Sequence, residues 1–176
     1  MKNYYEMKVH TALNTHKEPI NVLLVGENKA VEAEIKRHDC VKNLKVVKKD
    51  EVESLGIKSF DVVIADEFNE AFVQILKDDG LAVIDAVSYF DDLDAHKETL
   101  KRAGEGFYIA MPFRIDSGKS VMTPVLVSKK YHPTADINLQ RADLMDGLNY
   151  YNSDIHIASF VKPTYIFKAL LGVAKN

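Results

Sequence analysis

Residues 150–160, Tyr150-Tyr151-Asn152-Ser153-Asp154-Ile155-His156-Ile157-Ala158-Ser159-Phe160, carry the densest set of chemically useful side chains in this chain. The run is too polar for a core strand and too rich in rings for an ordinary surface loop. Two tyrosines, a carboxylate and an imidazole lie close together. Flat apolar walls with polar tips suit a small ligand that carries both methylenes and amines. The same residues also suit a structural corner, with the tyrosines packing and Asp154 capping a turn. Elsewhere the six histidines are scattered without metal-ligand spacing, so no metal site is expected. No G-x-S-x-G, P-loop or CxxC is present.

Composition bounds what can position these groups. The 176 residues predict one domain, and 47% hydrophobic residues are enough for an ordinary globular core. A net charge of −3 argues against a nucleic-acid partner, which would favour a basic excess. The one cysteine, Cys40, excludes an internal disulfide and fits a reducing compartment. No apolar run reaches membrane-spanning length and the N-terminus lacks a signal-peptide core, so a soluble, cytoplasmic protein is expected.

Strands and helices alternate. Residues 20–25 read as a buried strand ending at Gly26, and 29–38 as a helix with Val31, Ile35 and His38 on one face. Residues 44–47 and 60–66 are further strands, the latter continuously apolar, as in a parallel sheet covered on both faces. Phe68, Phe72, Ile75 and Leu76 predict a short helix stopped at Asp79-Gly80, followed by a strand over 81–84. Leu93, His96, Leu100 and Ala103 predict the next helix. Residues 107–111 and 121–128 predict an antiparallel pair at a sheet edge, turned by Asp116-Ser117-Gly118-Lys119. Helical patterns over 138–148 and 164–174 close the chain.

Ligands of open α/β sheets bind at the carboxyl ends of the strands. Three such ends matter here: Val25-Gly26-Glu27-Asn28-Lys29-Ala30, Val46-Val47-Lys48-Lys49-Asp50-Glu51 and Asp66-Glu67-Phe68-Asn69-Glu70. Read alone, the first is a plain strand-to-helix turn and the second a solvated charge run.

The 150–160 run, with Pro163 after it, resembles the C-terminal segment of the spermidine synthases, the polyamine aminopropyltransferases. Tyr4-Tyr5-Glu6-Met7-Lys8-Val9-His10-Thr11-Ala12-Leu13 resembles that family's Y-(H/Q)-E-M-x-x-H-x-x-L segment and stands, as there, before the first strand. The resemblance implies a methyltransferase-like, Rossmann-type α/β fold with a mostly parallel sheet and a C-terminal antiparallel hairpin. It implies aminopropyl transfer from decarboxylated S-adenosylmethionine, a co-substrate rather than a tightly bound cofactor, to putrescine. It assigns substrate contacts to Tyr4, Tyr5, Glu6, His10, Asp85, Tyr150 and Asp154, and cofactor contacts to Gly26 and Asp50. Asp66 and Asn69 fall on the catalytic D-S-(S/T)-D-P signature. The departures matter as much. One glycine, Gly26, stands in a glycine-rich turn, and Lys48 replaces a ribose-binding Glu. Asn69 replaces the general base, and an amide cannot take a proton from the attacking amine. One βα unit looks deleted between Asp50 and Phe60, and the family's N-terminal β-hairpin domain is expected to be absent. Activity is therefore expected to be weak or lost; the alternative is a non-catalytic relative that binds a polyamine, a nucleoside or a protein partner. The family forms dimers or tetramers, and a homodimer is expected, with apolar surface around Tyr4, Met7 and Val9 needing cover.

Overall fold

The computed structural model describes residues 2–176. The chain opens on helix α1 (Lys2–Thr15), followed by β1 (Asn21–Val25), α2 (Lys29–Ile35) and β2 (Asn43–Val47). A 3-10 turn (Lys49–Ser54) leads to β3 (Phe60–Ala65), a single helical turn α3 (Phe72–Ile75) and β4 (Leu76–Ile84). Helix α4 (Leu93–Gly104) and strands β5 (Ile109–Pro112), β6 (Ile115–Asp116), β7 (Val121–Met122) and β8 (Val125–Ser128) come next. Three short helices, α5 (Leu139–Asp143), α6 (Ser153–Ser159) and α7 (Thr164–Ala169), complete it.

Six strands form one sheet in the order β2-β1-β3-β4-β8-β5. The first four are parallel, and β8 runs antiparallel to both β4 and β5. This is the α/β, methyltransferase-like arrangement expected. Only the 3-10 turn joins β2 to β3, and β2 is left as the sheet's edge. That is where a βα unit is expected to be missing.

Side chains alternate between the two faces, so each strand feeds two cores. Leu23, Val25, Val63, Ala65, Ala82, Ile84 and Val127 face Phe72, Leu100, Ala103 and Ile166. Val22, Leu24, Val62, Ile64, Leu81, Val83 and Leu126 face α1 and α2.

Helix α1 is unusual in being buried almost all round, polar residues included: Glu6, Lys8, His10, Thr11, Asn14 and Thr15 are all inside. A buried polar group must find a partner or cost stability, and most of these do so through contacts described below.

Several predicted elements shift. Leu76 opens β4 instead of closing a helix, and Asp79-Gly80 sits inside the strand. There the β3–β4 register jumps, from Phe60↔Leu76 to Val62↔Leu81. The 116–119 turn joins the separate β6–β7 hairpin, which lies between β5 and β8 in the chain. The last two helical patterns form only short helices, and Gly172 at φ +76° follows α7. Tyr4, Met7 and Val9 are at most 6% exposed. The apolar surface that gave a reason for dimerisation is already covered by the chain's own sheet.

Candidate functional site

The register carries the site. β3 and β4 are parallel with Ile64 beside Val83, so the residues just past their ends, Asp66 and Asp85, emerge side by side. Helix α1 crosses this edge, and its Tyr4 and Lys8, one turn apart, share a face. Lys8 Nζ donates to Tyr4 Oη at 2.8 Å, to Asp66 Oδ1 at 2.8 Å and to Asp85 Oδ2 at 3.0 Å. Tyr4 Oη donates in turn to Asp85 Oδ2 at 2.5 Å. Lys8 is 1% exposed, and Asp85 Oδ1 is buried without a hydrogen-bond partner. Burial raises the Tyr4 phenol, and the neighbouring Asp85 carboxylate adds to this. Burial also raises the Asp85 carboxyl, with Lys8 and the Tyr4 hydroxyl opposing. The two carboxylates border a cleft of about 480 Å³, with Glu67, Phe68, Glu98 and Arg102 among its other walls. Tyr5 packs edge-on to Tyr4, with ring centroids 5.4 Å apart. Lys8 was not singled out from the sequence; its i,i+4 spacing from Tyr4 was the available signal.

Asn69 does not face this cleft. Its Oδ1 accepts from the Ala71 backbone N–H at 2.8 Å and so fixes the turn entering α3. Glu67 is paired with Lys49, and Glu70 with Arg102 at 2.6 Å. Neither carboxylate stands free as a substitute base.

The point between β1 and β3, where the strand order reverses, is the expected nucleoside position. β1 ends at Gly26, whose φ of +112° is open to glycine without strain. Its N–H donates to Val47 O at 2.8 Å. Asn28 then caps α2 by accepting from Ala30 and Val31 N–H. The cavity here is about 150 Å³ and is lined by Gly26, Lys49, Val52, Asp66, Asn69 and Phe72, among others. Ligand pockets usually start at roughly 300 Å³. Asp50 is exposed on the 3-10 turn and does not line the cavity, and Lys48 is exposed as well.

The remaining predicted residues build an anchor. The Glu6 carboxylate is fully buried and accepts N–H bonds from Asn149 at 3.0 Å, Tyr150 at 2.7 Å and Tyr151 at 3.1 Å. Burial pushes this carboxyl up, but the backbone donors and Lys2 outweigh it and leave it below the ordinary range. Tyr151 Oη accepts from Asn14 Nδ2 at 2.9 Å and meets His156 Nδ1 at 2.7 Å. His156 Nε2 lies 2.9 Å from Pro133 O. Asn152, not Asp154, caps α6, accepting from Ile155 N–H at 2.8 Å. Asp154 is exposed in that helix's first turn. Tyr150 lines a different groove, with Arg114, Asp116, Lys162 and Pro163, and Asp85 is not among its walls.

His10 engages both ring nitrogens, Nδ1 with His38 Nε2 at 2.7 Å and Nε2 with Glu34 Oε2 at 3.0 Å. Two neutral rings, each donating through Nε2–H, satisfy both contacts. Burial holds His10 down at about 4, His38 at about 2 and His156 at about 4. The folded state then binds fewer protons than the unfolded chain below the ordinary histidine value of roughly 6.5. This contribution to stability is complete above that value and is lost as pH falls towards 4. Going from about pH 7 to 5 is expected to cost on the order of 1–2 kcal/mol per histidine. Thermal melts at the two pH values check this; an unchanged midpoint would contradict it.

The fold also gathers a group that sequence spacing did not suggest. His16, Asp61 and Asp79 bring donor atoms within 4.8 Å of one another. Both carboxylates are already engaged: Lys77 lies 2.8 Å from Asp61, and Tyr131 Oη donates to Asp79 at 2.9 Å. His16 Nδ1 accepts from Glu18 N–H, which leaves a proton rather than a lone pair on Nε2.

No protein-family model matches the chain. Among curated proteins it is 32% identical over 118 residues to the polyamine aminopropyltransferase of Helicobacter acinonychis, covering 62% of this chain and 44% of that protein. It is 29% identical to the polyamine aminopropyltransferase of a Thermoanaerobacter species, covering 93% of this chain and 76% of that one. The chain thus spans less than half the length of the Helicobacter relatives it matches. The spermidine synthase of Thermotoga maritima has the same fold, with a TM-score of 0.86 at 23% identity over 96% of this chain and 74% of that one. So does a spermidine synthase in complex with the transition-state analogue AdoDATO, with a TM-score of 0.86 at 22% identity over 96% of this chain and 75% of that one. With the Tyr4 and Tyr150 segments in place and two carboxylates at the ends of β3 and β4, the chain has the fold of the spermidine synthases and is similar in sequence to the polyamine aminopropyltransferases.

Proposed function

We propose that this chain carries an aminopropyltransferase site for decarboxylated S-adenosylmethionine and putrescine, and that its transfer activity is weak or lost. In the reaction the amine nitrogen attacks the carbon next to the sulfonium. The new N–C bond forms as the C–S bond breaks, methylthioadenosine leaves, and the amine gives its proton to a base. A sulfonium is already a good leaving group, so the protein's tasks are to hold the amine, orient the nucleoside and accept that proton. In this reading Asp66, Asp85 and Tyr4 hold the amine, and Gly26 lets the nucleoside approach the backbone.

The observation that carries the reading of weak activity is Asn69, an amide at the base position whose oxygen is engaged by Ala71 N–H. The alternative, a non-catalytic relative that binds a polyamine, a nucleoside or a protein, is favoured by the small cavity at Gly26. A calorimetric titration with methylthioadenosine, read beside methylthioadenosine release in the transfer assay, separates them. Saturable heat with measurable release supports a transferase site; heat without release supports a nucleoside-binding relative, and no heat at millimolar nucleoside supports one that binds a polyamine or a protein.

A homodimer is part of the proposal, supported by the exposed Val161, Tyr165, Phe167 and Leu171 near the C-terminus. Light scattering that returned a monomer across micromolar concentrations would remove it. A cytoplasmic site of action is supported by the single cysteine. Among the described residues no helix is long and apolar enough to cross a membrane.

A further inference from the structure

Tyr4 Oη, Asp66 Oδ1 and Asp85 Oδ2 converge on one point beside the cleft that the two carboxylates border, and that point holds Lys8 Nζ. An ammonium has three N–H donors, and all three of Lys8's are satisfied at 2.8–3.0 Å. The Lys8 side chain is 1% exposed, so its ammonium is held out of water. A substrate amine presents the same charged head and seeks the same oxygens. We infer that Lys8 is the resident occupant of the amine subsite and sets the site's specificity against ammonium ligands. This inference rests on the proposed reading of Tyr4, Asp66 and Asp85 as amine-holding groups.

Competition is unequal. A tethered ammonium acts at an effective concentration of at least millimolar order, and far higher when it is held rigidly in place. A free diamine must beat that tether and also tolerate the Lys8 charge close by. The acceptors left over are Asp85 Oδ1, buried and without a partner, and the outer oxygen of Asp66, whose side chain is largely exposed. Neither reproduces the point where three oxygens converge, which a desolvated ammonium requires. The point of convergence is therefore closed to cationic amines by Lys8, whatever the state of the nucleoside side.

The test replaces the charge and keeps the stem. In Lys8→Met the side chain fills much of the same path without a charge. Calorimetric titration with putrescine should show affinity at least tenfold tighter for K8M than for the wild type. Butylamine should gain similarly, and neutral butanol should not. Equal affinity of wild type and K8M for putrescine, including no binding by either, would overturn the inference.

A second measurement uses the unaltered protein, should K8M not fold. Under an amine-acylating reagent read by mass spectrometry, Lys8 should stay unmodified while Lys29 and Lys36, with exposed side chains, react. Saturating putrescine should leave Lys8 protected. Labelling of Lys8 at the rate of Lys36, or its release by putrescine, would refute the claim. The methylthioadenosine titration reports on the Gly26 side and does not involve Lys8. A gain for K8M without nucleoside binding therefore upholds this inference while removing the transferase reading, and the converse result does the opposite.

Discussion

Glu6→Ala is expected to destabilise the protein by on the order of 3 kcal/mol, the largest effect of any single side chain discussed here. The carboxylate is fully buried and ties helix α1 to the backbone of Asn149, Tyr150 and Tyr151, far away in sequence. Removing it leaves these donors without their acceptor; the Asn149 amide can turn to water, but a buried orphan such as Tyr151 N–H costs about 1–3 kcal/mol. Glu6→Gln keeps the shape and one acceptor oxygen, so a smaller loss of about 1–2 kcal/mol is expected. Urea denaturation measures both. The damage should also be local: amides of the 150–160 segment should exchange faster with solvent water, while those of the central strands hold. A loss below about 1 kcal/mol for Glu6→Ala would show that the anchor contributes little.

The second large effect concerns catalysis. Losing a positioned general base typically costs about 10²- to 10⁴-fold in rate. Putting the carboxylate back with Asn69→Asp is nevertheless expected to leave transfer unchanged. Asn69 Oδ1 is held by Ala71 N–H, and an aspartate at that turn would accept the same bond. The amine subsite would still hold Lys8, and the cavity beside Gly26 would still be small. Methylthioadenosine release by the two proteins under identical conditions checks this. A tenfold or greater gain from Asn69→Asp would show that this one position limits the rate.

Much of the framework could be read from the sequence because its strands are continuous apolar runs. Residues 60–66 can be little else than a buried parallel strand, and the polar residue after each strand marks the binding edge. Asp66 and Asp85 follow from that logic, and so does Gly26. Helix α1 was harder. It is buried nearly all round, so it has no polar face and no amphipathic period to betray which side meets the sheet. Lys8 in particular looks like a surface lysine until the fold brings Asp66 and Asp85, 58 and 77 residues away, to its ammonium. Glu6 and His10 sit in the segment that resembles the family's, but their partners are backbone amides and a second histidine, which no residue pattern displays. Asn69 reads from the sequence as a failed base. That its oxygen serves a turn is a matter of local backbone geometry, and it emerges only in three dimensions.

The central proposal is that an aminopropyltransferase-like site lacks its base at Asn69 and has its amine subsite filled by Lys8. Steady-state release of methylthioadenosine from decarboxylated S-adenosylmethionine by the purified protein, with putrescine in excess, tests it most directly. The account predicts a rate at least about 10²-fold below the median of roughly 10 s⁻¹ for ordinary enzymes. Turnover of about 1 s⁻¹ or faster would contradict it, because an amine would then be bound, deprotonated and alkylated with Lys8 and Asn69 in place.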